Sequence, residues 1–323
     1  MKKLNRKLKG NIILFITAII WGMSFVAQSV GMEYIEPNTF MGIRTVMGAI
    51  VLLPVIFVTD GIKKRQGTYE KTDMKRLIKY GVICGIFLCV AQTLQTYGLK
   101  TTTTAKSGFL TALYIIFVAL IGLFMGKKFN LKMLLGIVAA MAGMYFLCLF
   151  GEEISFNGGD LLTVLCAVFF ACQILCIDKF VTGIDGVKLS CTQFMTAGII
   201  NLLLMLLIEK PDISNILICA VPLLYSGIMS CGVAYTLQVI GQKYAEPTSA
   251  SIIMSLESVF AAISGWIILS EAMSISQIAG CVLMFAAIVL VQLPEKDKNK
   301  SARSSDIASL HLHFKGLPGE CSG

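Results

Sequence analysis

Ten apolar stretches, each close to a bilayer's width when helical and separated only by short polar breaks, leave this chain few folds to choose from. They fall at roughly 11–30, 37–58, 77–98, 104–124, 131–149, 159–180, 189–208, 216–239, 247–269 and 273–292, and about 20 mostly apolar residues suffice for one helical crossing. In hydrocarbon every backbone polar group must be satisfied within its own segment, so such stretches cross as helices. The breaks hold turn formers and charges, for example Glu36-Pro37, Phe156-Asn157-Gly158-Gly159 and Glu209-Lys210-Pro211-Asp212. None could hold a folded soluble domain. Of 323 residues 56% are hydrophobic and only 14% charged, too little charge to cover a soluble surface. The expected fold class is an all-α polytopic membrane protein with ten transmembrane helices. Lys2, Lys3, Arg6, Lys7 and Lys9 ahead of the first stretch imitate a signal peptide. That stretch is longer than a signal core and nine more follow, so it is read as the first helix.

Lysine and arginine set the orientation. With the N-terminus inside, the cytoplasmic segments collect Lys63, Lys64, Arg65, Lys71, Lys75, Arg76, Lys79, Lys127, Lys128 and Lys132, and then Lys296, Lys298, Lys300 and Arg303 of the C-terminal segment. The other side holds Glu33, Glu36, Glu152 and Glu153 with few bases. Both termini are thus expected in the cytoplasm of a multi-pass cell-membrane (plasma or inner membrane) protein. The net charge of +8 follows from this asymmetry and suits an anionic inner leaflet; it adds nothing for nucleic acid. Ten of the eleven cysteines fall inside apolar stretches, where thiols act as small packing groups. No disulfide or metal site is expected.

Two segments are nearly the same. "AQTLQTYGLK" (91–100) and "AYTLQVIGQK" (234–243) align with a shift of about 143 residues, which continues by pairing Leu113 with Leu256, Phe117 with Phe260, Ala119 with Ala262 and Gly122 with Gly265. A slightly larger shift pairs Gly10 with Gly159, Ala18 with Ala167 and Arg44 with Gln193. Helices 1–5 and 6–10 therefore read as two copies of one unit. Five is odd, so the second copy enters the membrane upside down. Inverted repeats enclose a site near the midplane that each half can expose in turn, which is a transporter's architecture. The expected organisation is a cytoplasmic N-terminal segment (1–10), a first five-helix repeat (11–150), an inverted second repeat (151–293) and a polar cytoplasmic tail (294–323).

The strings "TAIIWGMSFVAQ", "FMGIRTVMGAIVLLP", "YGLKTTTTAKSGFLTALYIIFVALI" and "PTSASIIMSLESVFAAISGWIILSE" resemble the drug/metabolite transporter superfamily, specifically its EamA-type families, over roughly residues 10–292. The resemblance implies a small polar metabolite as cargo, an amino acid or related compound, moved out of the cell. It also implies that an arginine at Arg44 is architectural. Two departures stand out. The prolines such families carry late in helices 4 and 9 are Ile115 and Ser258 here, which predicts straighter helices; and the Gly-Glu closing helix 4 reads Lys127-Lys128, while Glu271 keeps the acidic position in the other half.

Glu257 is the most informative single residue. It lies about ten residues into its stretch, hence about 15 Å deep, where an ionised group costs at least about 2.5–3.5 kcal/mol unless a cavity or partner receives it. It reads as a cavity carboxylate for a substrate ammonium or a proton, the alternative being a protonated Glu hydrogen-bonded to a neighbouring helix, with its repeat mate Tyr114 on the same cavity. Arg44 could hold a substrate carboxylate in bidentate fashion, or snorkel or pair with Glu33 or Glu36. Trp21, Ser24 and Gln28 mark helix 1. Gln95 and Gln238, equal in both repeats, read as helix contacts; Gln92 and its unlike mate Tyr235 read as substrate-facing. Gly81 with Gly85, Gly122 with Gly126 and Ala139 with Gly143 predict close helix packing.

His311 and His313, the only histidines, lie in the tail, which removes histidine-based catalysis and zinc sites from the spans. No Walker-type glycine loop exists, so the chain is not expected to be an enzyme or to need a cofactor. The reading is a secondary active or facilitative transporter working by alternating access. Its expected partners are a small-molecule substrate and the lipid bilayer, with protons open as the driving ion and no nucleic acid. The alternatives are an intramembrane enzyme or a receptor-like protein without transport.

Overall fold

A computed structural model describes residues 2–102, 104–127, 130–151, 156–269 and 273–292. Lys128, Glu152, Glu153, Glu271 and the tail with its two histidines lie outside the described residues. Described residues up to Val291 form one compact unit of fourteen α-helices and one π-helical segment. The first three are α1 (Lys2–Met32), α2 (Pro37–Arg65) and α3 (Met74–Gly98); the basic N-terminal residues simply prolong α1. Next come α4 (Thr104–Ala112), α5 (Tyr114–Phe124), α6 (Leu131–Cys148), α7 (Gly158–Phe180) and α8 (Gly186–Ile208). After the short α9 (Ile213–Ile218), α10 (Ala220–Leu224) passes into the π-helix Tyr225–Tyr235 and then α11 (Thr236–Gln242). The last are α12 (Pro247–Met254), α13 (Glu257–Leu269) and α14 (Ile275–Gln292). Among the described residues nine helices, counting α4–α5, α10–α11 and α12–α13 as one each, are long and apolar enough to cross a membrane; the tenth, Ile275–Val291, is apolar but shorter. These are spans 1 to 10.

The ionic contacts show the alternation. At the face where α1 begins, the near face, Lys63 pairs with Asp185, Lys188 with Asp60 at 2.7 Å and Lys127 with Asp178 at 2.6 Å. Burial works to raise the Asp185 carboxyl, but the hydrogen bond from Lys63 and the amides of Lys188 and Val187 outweigh it and hold the group below its ordinary range. At the far face Lys100 pairs with Glu36, and Lys106 with the fully buried Asp160 at 2.6 Å.

Each half secures the other's helix start. Glu36 gives α2 no side-chain cap. Instead Glu209, just past α8, accepts from the Asn38 and Thr39 amides at 2.7 Å, from Asn38 Nδ2 at 2.7 Å and from Thr39 Oγ1 at 2.8 Å. On the near face Asp185 caps α8 and is itself held by Lys63 from the end of α2. Glu209→Ala removes the partners of two first-turn amides and a hydroxyl at once, so a loss of about 2–3 kcal/mol is expected. Denaturant titration in micelles measures it, and an unchanged midpoint would contradict the capping role.

The packing repeats under exchange of the halves. Span 1 packs on spans 8 and 9, as span 6 packs on spans 3 and 4; span 2 packs on span 7; and span 3 packs on span 7 as span 8 does on span 2. Glycine makes the closest crossings. Gly98 of α3 meets Gly159 of α7 at the far face, where a Cβ on Gly159 would stand 2.6 Å from the Gly98 carbonyl oxygen. Gly241 of α11 meets Gly10 of α1 at the near face, where a Cβ on Gly10 would stand 3.0 Å from the Gly241 carbonyl oxygen. Gly98 and Gly241 are the matching glycines of the two ten-residue strings, and Gly10 and Gly159 are repeat mates. Gly81 and Gly85 bring α3 against Thr192, Gln193 and Thr196 of α8, and Gly143 brings α6 against Gly280 and Met284 of α14. Gly126 differs from expectation. It has φ +79° with open space around it, and the Gly126 and Lys127 amides bond back to Leu123 and Gly122, so it ends α5 rather than packing.

Spans 4 and 9 correct another expectation. Despite lacking the prolines, both break in the middle: span 4 at Leu113, span 9 at Ser255-Leu256. The Leu113 amide bonds to Leu110 and Phe117 to Leu113; the Leu256 amide bonds to Ile253 and Phe260 to Leu256. These are the same two bonds at repeat-related positions. A tightened turn, not a missing donor, breaks the helix.

Candidate functional site

Each break delivers a polar side chain to the start of a half-helix. Tyr114 opens α5 and Glu257 opens α13, where the helix dipole favours a negative charge. Both line one central cavity of about 60 Å³. Its other walls are Trp21, Ser24, Phe25 and Gln28 of α1, Arg44 of α2, Gln95 of α3 and Thr111 of α4, then Phe170, Gln173 and Ile174 of α7, Ser230 and Tyr235 of the π-helix, Gln238 of α11 and Met254 of α12.

Most of this lining obeys the repeat. Trp21 faces the cavity as its mate Phe170 does, Ser24 as Gln173, Phe25 as Ile174, Gln95 as Gln238, Thr111 as Met254 and Tyr114 as Glu257. The cavity therefore sits where the two halves meet about their shared axis. Gln28, Arg44, Ser230 and Tyr235 line it without their mates Ile177, Gln193, Phe87 and Gln92. π-Helical turns occur frequently at functional sites. The one here, Tyr225–Tyr235, contains both Ser230 and Tyr235.

Arg44 is only 4% exposed. Its Nη1 donates to Gln28 Oε1 at 3.0 Å, and its guanidinium lies 5.9 Å from the Phe40 ring centre. It pairs with neither Glu33 nor Glu36; Glu36 is held by Lys100. Arg44 Nε, Gln28 Nε2, Trp21 Nε1 and Tyr114 Oη are buried with no hydrogen-bond partner among the described residues. No described residue forms a salt bridge with Arg44 or with Glu257. One buried cation and one carboxylate thus share a cavity without pairing.

Six of the seven residues singled out from sequence, Glu257, Tyr114, Tyr235, Trp21, Ser24 and Arg44, come together here. Gln92 does not line the cavity. It stands behind Tyr235, donating from Nε2 to the Tyr235 hydroxyl at 3.0 Å, while the Tyr235 ring packs 4.6 Å from that of Trp21. Gln95 and Gln238, expected as helix contacts, are lining residues that also bond Thr111 and Gln173. Sequence reasoning left Thr111, Gln173 and Ser230 unnamed. Carrying Ser24 across the repeat would have found Gln173. Among the described residues no three His, Cys, Asp or Glu side chains gather to hold a metal ion.

The sequence model of the EamA-like transporter family matches this chain twice, over residues 8–149 and 157–293. The chain belongs to the EamA-like transporter family. An uncharacterized transporter of Archaeoglobus fulgidus (strain ATCC 49558 / DSM 4304 / JCM 9628 / NBRC 100126 / VC-16) is 27% identical over 89% of this chain and 87% of its own length. The uncharacterized transporter YoaV of Bacillus subtilis (strain 168) is 25% identical over 84% of this chain and 92% of its own. A solved crystal structure shares the fold with a TM-score of 0.71 at 16% identity, covering 87% of this chain and 95% of that one. This EamA-family chain is a multi-pass membrane transporter, and among the described residues its spans pack as two inverted repeats.

Proposed function

We propose that this EamA-family transporter carries a small zwitterionic metabolite of the amino-acid class by alternating access around the central cavity. One observation carries the reading: Arg44 brings a cation and Glu257 a carboxyl group to the same cavity, and neither has an ionic partner among the described residues. A buried charge left alone is costly, whereas a cargo with a carboxylate and an ammonium group answers both. Arginine's planar fork suits a carboxylate. The orphaned donors of Gln28, Trp21 and Tyr114 offer further bonds to its oxygens, and the Trp21, Phe25, Phe170 and Tyr235 rings supply an apolar wall. Exchange of a proton at Glu257 would couple the cycle to the proton gradient. The lysine and arginine distribution supports a cytoplasmic near face, so that export would run towards the far face.

The test is a thermal-stability screen of the purified protein with amino acids and their decarboxylated amines, followed by flux in vesicles. A ligand that binds one conformation stabilises it by mass action. Arg44→Gln should weaken a stabilising amino acid by about tenfold or more while leaving the matching amine unchanged, since a charge-assisted bidentate pair is lost only for the former. Equal weakening of both, or no stabilisation by any compound of either class, would overturn the reading. Turnover of a compound instead of its passage would favour an enzyme.

A further inference from the structure

A second hollow of about 180 Å³ lies next to the central cavity and shares Phe25 and Gln28 with it. Its remaining walls are Ser29, Met32, Glu33 and Leu99, which places it at the far face, between the ends of α1 and α3. Trp21, Ser24, Phe25, Gln28 and Met32 recur at helical spacing, so one face of α1 runs from the cavity to the rim. From Trp21 to Glu33 that face climbs about 18 Å. The near half of α1 is closed: Leu14, Thr17 and Ala18 are fully buried, Gly10 touches Gly241, and Gln242 Nε2 bonds the Ile174 carbonyl at 3.1 Å. In this conformation the cavity's neighbouring space lies towards the far face.

At the rim one carboxylate is without an ionic partner among the described residues. Lys100, adjoining Leu99, is engaged by Glu36 and lies 5.7 Å from the Tyr97 ring centre. Glu33 is exposed and no described residue forms a salt bridge with it. Gln28 stands between the two spaces, its Oε1 held by Arg44 and its Nε2 without a partner.

We propose that this rim hollow is an outer subsite for the ammonium group of the cargo, with Glu33 as its counter-charge, while the free Gln28 Nε2, a donor beside Arg44, turns towards the cargo's carboxylate. The inference rests on the reading that the cargo carries an ammonium group. An exposed carboxylate binds weakly in water, so its part is to raise the local concentration of cations at the mouth, and that part fades with salt.

Thiol labelling tests this without knowing the cargo. Ser29→Cys, in a full-length background with Cys321→Ser, is reconstituted in nanodiscs of neutral phosphatidylcholine. The label is either a trimethylammonium-ethyl or a sulfonatoethyl methanethiosulfonate. The expected cation-to-anion rate ratio is about fivefold or more above that of the same protein carrying Glu33→Gln, and it collapses at high salt. Glu33→Asp should keep the ratio. Tetramethylammonium should slow labelling by neutral N-ethylmaleimide only when Glu33 is intact. A ratio indifferent to Glu33→Gln, or a thiol that neither reagent reaches, would overturn the subsite. Because labelling reads the hollow alone, failure of every amino acid in the stability screen strikes the cargo reading without altering this result.

Discussion

Glu257→Gln should lower uptake driven by an imposed pH gradient by about a hundredfold or more in proteoliposomes, while counterflow exchange persists once the cargo concentration is raised to offset the lost ammonium contact. The substitution keeps the shape and hydrogen-bonding capacity of the side chain and removes its charge and its proton. Glu257 begins α13 at a break in span 9 and lines the central cavity. A group placed there meets the cargo and, in turn, whichever side is open. If it carries the proton, the neutral amide can still cycle loaded with cargo but cannot harvest the gradient. Unchanged pH-driven uptake would defeat proton carriage. Parallel loss of both fluxes at saturating cargo would show instead that the carboxylate is needed for the loaded carrier to cycle at all, which defeats a role confined to harvesting the gradient. Tyr114, in the same position of the other half, offers a neutral hydroxyl. The halves are therefore chemically unequal at this matched pair of positions.

How much of this was readable beforehand depends on the kind of signal. The spans were legible because hydrocarbon permits little besides helices of that length, and the duplication was legible because glutamine, glycine and lysine recurred at fixed offsets. The glycine crossings explain that recurrence. Gly98 and Gly241 keep their places because each touches the other half's Gly159 or Gly10. What stayed hidden was anything set by helix phase or by local backbone choice. Gln92 and Gln95 sit three apart and cannot be sorted by depth alone; packing of α3 turned Gln95 to the cavity and Gln92 to the back of Tyr235. The breaks at Leu113 and Leu256 carry no proline, the π-helix Tyr225–Tyr235 carries no sequence mark, and Gly126 looked like a packing glycine until its positive φ was seen. Gln28 was within reach, since Trp21, Ser24 and Gln28 share one helix face.

The paired crossings carry the remaining large prediction. A valine at Gly10 drives a branched side chain into Tyr244 and the Gly241 carbonyl, and one at Gly241 into Leu14 and the Gly10 carbonyl; each should cost about 1–3 kcal/mol as an overpacked contact. Gly10→Val with Gly241→Val should cost less than the sum, because the first clash already forces α1 and α11 apart. Gly98→Val with Gly241→Val should cost the full sum to within about 0.5 kcal/mol, because those glycines work at opposite faces and share no neighbour. Denaturant unfolding of the parent, the four single variants and the three doubles in micelles gives each coupling directly. If the two halves are built on one plan, Gly98→Val should couple to Gly159→Val as strongly as Gly241→Val couples to Gly10→Val. Coupling at one face only would mean that the near and far crossings are unrelated contacts, and that the likeness of the two strings reflects helix composition rather than a shared architecture.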